Sequence, residues 1–179
     1  MPEAQEVKKV KRTEFATFLN VGNKTTKKWA RVGKGVTGQT VAYNPTVTEE
    51  QYINEESGTS SIEAYKVNVP TPQTAYKGDP VFDYVDNMRR KRLVNADAET
   101  EILFVYLYEK TVEGDEPSQT VKYAAELNNC AIQIDDFGGD AGNPVVLNYT
   151  INLNGDPTLG SVTMSNGEIT FTPDTSPAG

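Results

Sequence analysis

Residues 145–153 read VVLNYTINL. Val145, Leu147, Tyr149, Ile151 and Leu153 lie on one face, Asn148, Thr150 and Asn152 on the other, and only Val146 breaks the pattern. A period of two with one apolar face predicts a half-buried antiparallel strand. Downstream, the turn-prone NGDPTLG (154–160) leads into SVTMSNGEITFT, where Asn166-Gly167 separates two β-rich runs. Asn-Gly suits the positive backbone angles of a two-residue hairpin turn, so the C-terminal region is expected to be a meander. Upstream, TVKYAAEL (120–127) and CAIQID (130–135) read as two further alternating strands. In EILFVYLYE (101–109), Ile102, Phe104, Tyr106 and Tyr108 alternate with Leu103, Val105 and Leu107, so both faces are apolar and both need cover.

Nearer the N-terminus, EFATFLNV (14–21) and KKWARV (27–32) form another strand pair around Gly22-Asn23. The span 79–92, DPVFDYVDNMRRKR, predicts a helix. Asp79 suits the N-cap, Pro80 the first helical position, and Val81, Phe82, Val85 and Met88 fall on one stripe. Asp83 and Asp86 come early and Arg89, Arg90, Lys91 and Arg92 crowd the last turn, where cations oppose the helix dipole. Residues 33–61, rich in Gly, Thr, Asn, Glu and Ser, read as a long loop that a partner orders.

Composition narrows the chemistry. The 179-residue chain has no histidine, which removes Ser-His-Asp and Cys-His catalysis and His-ligated zinc. Its single cysteine, Cys130, has no internal partner and is expected to be buried and inert. The N-terminus MPEAQEVKKVKR has no apolar signal core and no run is long enough to span a bilayer, so the expectation is a soluble protein without a cleaved export signal or membrane insertion. Charge is uneven: residues 1–34 carry net +6, 35–94 net −2 and 95–179 net −12. An acidic body repels phosphate backbones, whereas a basic arm on such a body attracts another copy of itself.

The apparent motifs do not hold up chemically. GKGVTGQT (33–40) lies one residue from the phosphate-binding pattern G-x-x-x-x-G-K-[ST], but Gln39 stands at the lysine position and TVAYNP cannot open a helix. DDFGGDAGN (135–143) lacks the alternating register of a calcium loop. KKVKR (8–12) and RRKR (89–92) are not interleaved with aromatics for base stacking. Glu49/Glu50 and Glu55/Glu56 read as solvated charges. No catalytic, cofactor or metal site is expected.

Several segments in order carry a resemblance over roughly residues 13–172: KKWARVGKGVTGQT, the loop with NPTVTEEQYINEE, a strand ending before Pro70, YKGDPVFDYVDNMRRKR, EILFVYLYE and NYTINLNGDPTLGSVTMSNGEITF. Together they resemble the major tail tube protein of a long-tailed, siphovirus-type bacteriophage. The resemblance implies a mainly β fold, a sandwich or barrel of two antiparallel sheets with one flanking α-helix, preceded by an N-terminal arm (1–12) and followed by a C-terminal tail (173–179). It implies a structural virion protein and not an enzyme, forming homohexameric rings that stack into a hollow tube for genome delivery.

The implied partners are other copies of the chain, a tape-measure protein, a tail terminator, a distal tail protein and viral DNA passing without specific binding. The implied location is the virion, after assembly in the host cytoplasm. The loop 33–61 is the implied contact to the next ring, with Gly33, Lys34, Gly35, Gly38, Asn44, Pro45, Glu49, Glu50, Tyr52, Glu55 and Glu56 as candidate assembly residues. Strands joined across subunits would form the inner barrel, and a carboxylate-lined lumen would repel DNA. The competing expectations are a monomeric adhesion or carbohydrate-binding β-sandwich using Tyr43, Tyr52 and Tyr76, an enzyme with carboxylate chemistry, a tail-end adaptor ring, and the tube of a phage-derived bacteriocin.

Overall fold

The computed structural model describes residues 6–175, so positions 1–5 of the expected arm and 176–179 of the expected tail lie outside the described residues. The strands are β1 (Phe15–Asn20), β2 (Trp29–Arg31), β3 (Pro45–Glu50), β4 (Thr59–Tyr65), β5 (Asn68–Thr74), β6 (Glu99–Glu113), β7 (Thr120–Gly138), β8 (Val146–Ser165) and β9 (Glu168–Pro173). Helix α1 (Pro80–Lys91) joins β5 to β6. Seven strands form one antiparallel sheet in the order β2-β1-β6-β7-β8-β5, with β9 added on β8, while β3 and β4 form a separate two-stranded sheet. This is the mainly β architecture with two antiparallel sheets and one helix that the sequence predicts.

Strand β6 receives the double cover its two apolar rows demand. Ile102 and Phe104 share a core with Leu19, Val69, Tyr149, Ile151 and the helix residues Val81, Phe82, Val85 and Met88. Leu103 and Val105 point the other way, into a core with Ala16, Phe18, Ala125 and Val162 bordered by Trp29 and Phe171. Each fully buried side chain of this size contributes about 1.5–3 kcal/mol. Cys130 lies in the first core, where burial, then the Glu101 charge, push its thiol up to about 12; it is unreactive there.

The helix follows its local signals. The Asp79 carboxylate accepts a hydrogen bond from the Phe82 N–H at 2.9 Å, and Arg92 ends the helix in the left-handed region at φ 51°. Asp86 sits mid-helix, buried beside Arg89 and Arg90. Burial pushes its carboxyl up, but hydrogen bonds from the two guanidiniums outweigh that and hold it below the ordinary carboxylate value.

Three boundaries differ from the sequence expectation. The runs 120–127 and 130–135 belong to one strand, β7, which absorbs Asn128 as an irregularity in its pairing with β8. NGDPTLG is likewise no turn. Asn154 pairs with Asn129 and Thr158 with Leu127, so Gly155, Asp156 and Pro157 bulge out of a continuous β8. The expected Asn166-Gly167 hairpin does form, with positive φ at both residues and Ser165 opposite Glu168.

The third difference is β5, which runs through Pro70 and Pro72 instead of ending before them. It is an edge strand paired only with β8. Backbone groups alternate sides, so Asn68, Pro70, Pro72 and Thr74 all face away from β8. Ala42 occupies the outward groups of Asn68, and the Gly35 carbonyl accepts the Thr74 N–H at 2.9 Å. The two remaining outward positions are prolines with no N–H to offer, so this edge cannot extend.

The segment that resembled a phosphate loop closes the sheet. The Thr17 hydroxyl of β1 donates to Gln39 Oε1 at 2.8 Å, and Gln39 Nε2 donates to the Thr71 hydroxyl of β5 at 3.0 Å. One side chain thus ties the two sides of the curled sheet together, from the position a nucleotide-binding loop would give to lysine. Gly35 has φ +78°, and a Cβ there would lie 2.5 Å from the Thr74 carbonyl oxygen. Gly35→Ala should therefore cost about 2–3 kcal/mol, read as a lower urea midpoint at unchanged slope.

Candidate assembly surface

The β3–β4 ribbon leaves the body at a fixed base. Asn44 adopts φ 43°, and its side-chain amide donates to the Lys66 carbonyl at 2.9 Å. Ala42 bridges Asn68, and Tyr43 meets Tyr65 edge-on across the base, ring centroids 6.3 Å apart. Beyond this point every residue of β4 and nearly all of β3 are exposed. Val47 and Ile62 are cross-strand partners, yet they remain 52% and 59% exposed. At the tip the Tyr52 hydroxyl donates to Glu50 and Gln51 donates to the Glu55 carbonyl.

The candidate residues from the sequence divide into two groups. Asn44, Pro45, Glu49, Glu50, Tyr52, Glu55 and Glu56 lie on the ribbon or its base, whereas Gly33, Lys34, Gly35 and Gly38 lie on the closure segment against the body. The Lys34 carbonyl accepts from Gln73, and its ammonium lies 4.6 Å from the Tyr76 ring centre. The expected irregular loop over 33–61 is thus two objects, a strap over β5 and a projecting ribbon.

Sequence reasoning missed two free edges. β1 pairs with β6 only as far as Tyr106, so the outer edge of β6 is open from Leu107 to Glu113. β9 pairs only with β8. The distal parts of β6, β7 and β8 together with β9 therefore make a four-stranded sheet open on both sides, with exposed Tyr108, Val112 and Met164. No sequence signal marks these edges, because pairing partners are set by topology. Tyr43 and Tyr65 form an exposed edge-on pair, and neither Tyr52 nor Tyr76 stacks on another ring among the described residues.

The acidic stretch DDFGGDAGN is only partly a loop: Asp135 to Gly138 continue β7 against β8, and their carboxylates are tied down by cross-strand bonds. Asp135 accepts from Thr150 at 2.8 Å and Asp136 from Asn148 at 2.7 Å. Among the described residues no group of three or more His, Cys, Asp or Glu is arranged to hold a metal ion. No described helix is long and apolar enough to cross a membrane.

The structure is thus a bent antiparallel sheet with free edges at distal β6 and at β9 and a projecting two-stranded ribbon. No family model and no curated protein matches the sequence. Among solved structures, a chain in the tail of an empty GTA particle, obtained by helical refinement with C6 symmetry, is similar with a TM-score of 0.52 and 7% identity, covering 84% of this chain and 98% of that one. A chain of the anti-feeding prophage baseplate, 6-fold symmetrised, gives 0.47 and 12% identity over 87% and 97%, and one from the sheath-tube complex of an extracellular contractile injection system in its extended state gives 0.41 and 8% over 86% and 93%. The first likeness is one of fold: the mainly β architecture with one helix expected from the sequence is shared with that tail chain over most of both lengths.

Proposed function

We propose that this protein is a structural tail tube subunit, which forms six-fold rings that stack into a hollow tube for genome delivery. The observation that carries the proposal is the β3–β4 ribbon, a projecting two-stranded sheet whose apolar pair Val47/Ile62 is left uncovered by its own body. Isolated two-stranded ribbons are marginal in water, so a partner surface is required. The C6 symmetry of the similar tail supports a ring of the same order.

Ring closure would use the two open edges. In the distal sheet β6, β7, β8 and β9 alternate in direction, so β9 of one subunit meets β6 of the next in antiparallel sense. Repeating that junction closes a continuous barrel and leaves no edge to aggregate. The net charge of −8 suits a conduit that DNA crosses without sticking, and the expected tape-measure, terminator and distal tail proteins would meet the same ring surfaces. The protein would assemble in the host cytoplasm and reside in the virion.

Negative-stain microscopy of the purified protein tests this. Six-fold rings or long tubes are expected; a monomer at every concentration, even with tape-measure protein and tail chaperones present, would overturn it.

A further inference from the structure

The ribbon and the end of helix α1 carry opposite charge. Between Pro45 and Tyr65 the chain holds Glu49, Glu50, Glu55, Glu56 and Glu63 and no Lys or Arg. None of these five enters an ion pair among the described residues. At the helix end, Arg89 and Arg90 share the single carboxylate of Asp86, while Lys91 and Arg92 are exposed and enter no ion pair among the described residues. The Arg89 guanidinium lies 3.8 Å from the centre of the Phe137 ring, which is 42% exposed. The terminus is thus a cationic patch on an aromatic floor, a match for a carboxylate-rich ribbon with exposed Tyr52 and Ile53.

We propose that the acidic β3–β4 ribbon of one copy docks on the basic C-terminal turn of helix α1 in a second copy. The inference rests on the tube assignment and names the surface that receives the ribbon. Six residues of β3 extend about 20 Å, enough to reach beyond the ribbon's own body. The other basic surface is less suitable. Lys8, Lys9 and Lys110 line a groove with Leu107, Tyr108 and Tyr123 on the open side of β6, which ring closure would cover. The helix end is clear of both open edges, and its pairing with carboxylates would weaken with salt because the Debye length falls from about 10 Å at 0.1 M to about 3 Å at 1 M.

The test uses two full-length proteins, one with the ribbon reversed (E49K/E50K/E55K/E56K) and one with the patch reversed (K91E/R92E). Every substituted side chain is exposed, and unchanged circular-dichroism melts would establish that both proteins fold. Sedimentation and negative stain at 0.15 M salt should show each reversed protein at least tenfold poorer than wild type in stacked assemblies. An equimolar mixture should stack again, because each reversed surface then faces its complement. Wild-type-like stacking by either reversed protein alone, or a mixture that stacks no better than its components, would overturn the docking and leave the tube assignment standing. A wild type that never leaves the monomer overturns both.

Discussion

Replacing Val47–Glu63 with a short Gly-Ser turn is expected to leave the domain folded and to abolish stacked tubes. The excised residues are exposed and pack on none of the body's core, so their loss should change stability by no more than about 1 kcal/mol, a shift of about 2–4 °C in the melting midpoint. The base stays intact, since Asn44 still holds Lys66 and Ala42 still bridges Asn68. Assembly should respond far more strongly. In a C6 ring like that of the similar tail, about 1 kcal/mol per ribbon amounts to a roughly 10⁴-fold loss in the ring-stacking constant. Electron microscopy beside a thermal melt separates the two effects: single rings with a preserved melt are expected, and tubes of normal length would refute the role given to the ribbon.

The second large effect concerns Gln73, whose side chain is fully buried at the junction of strap, sheet and helix. Its Nε2 donates to the Lys34 carbonyl at 2.9 Å and to the Asp79 carboxylate at 3.1 Å, and its Oε1 accepts from the Tyr149 hydroxyl at 3.1 Å. Burial, reinforced by the Asp79 charge, raises the Tyr149 phenol well above its ordinary value, so it remains a neutral donor. Gln73→Leu keeps the volume and removes all three bonds, stranding the Tyr149 hydroxyl and the Lys34 carbonyl. The expected cost is about 3–5 kcal/mol, a large share of the about 5–15 kcal/mol that holds a typical domain folded. Tyr149→Phe, which loses one bond of the three, should cost about 1–2 kcal/mol. Urea denaturation of the two variants checks the ranking, and a Gln73→Leu protein as stable as wild type would show that the network does not hold the strap.

Elements whose local chemistry and burial agree were legible in the sequence. In VVLNYTINL the alternation marks Leu147, Tyr149 and Ile151, which are buried, whereas Val145 stays 40% exposed just ahead of β8 and Asn148, Thr150 and Asn152 are half-buried. The helix was legible because cap, stripe and terminal charges coincide, and the Asn166-Gly167 hairpin because its turn accepts few other residues. The ribbon was not, since both its faces meet solvent in the isolated chain and no apolar alternation is imposed on PTVTEE or TSSIEAY. The bulge in β8 uses the same Gly-Asp-Pro chemistry as a turn, and only its pairing with β7 distinguishes the two. Gln39 gave no sign of its role because its partners, Thr17 and Thr71, lie 22 and 32 residues away. The division of the span 33–61 was hidden for the same reason: low apolar content marked it as unusual, but long-range bonds decide which part folds back and which part projects.

A cryo-electron-microscopy reconstruction of the polymerised protein would show both the subunit junction and the seat of the ribbon. Six-fold rings are expected, in which residues 107–113 of β6 pair antiparallel with β9 of the neighbouring subunit, while each β3–β4 ribbon lies on the adjoining ring. Rings whose β6 and β9 edges remain open to solvent, or ribbons lying on their own subunit, would contradict this arrangement.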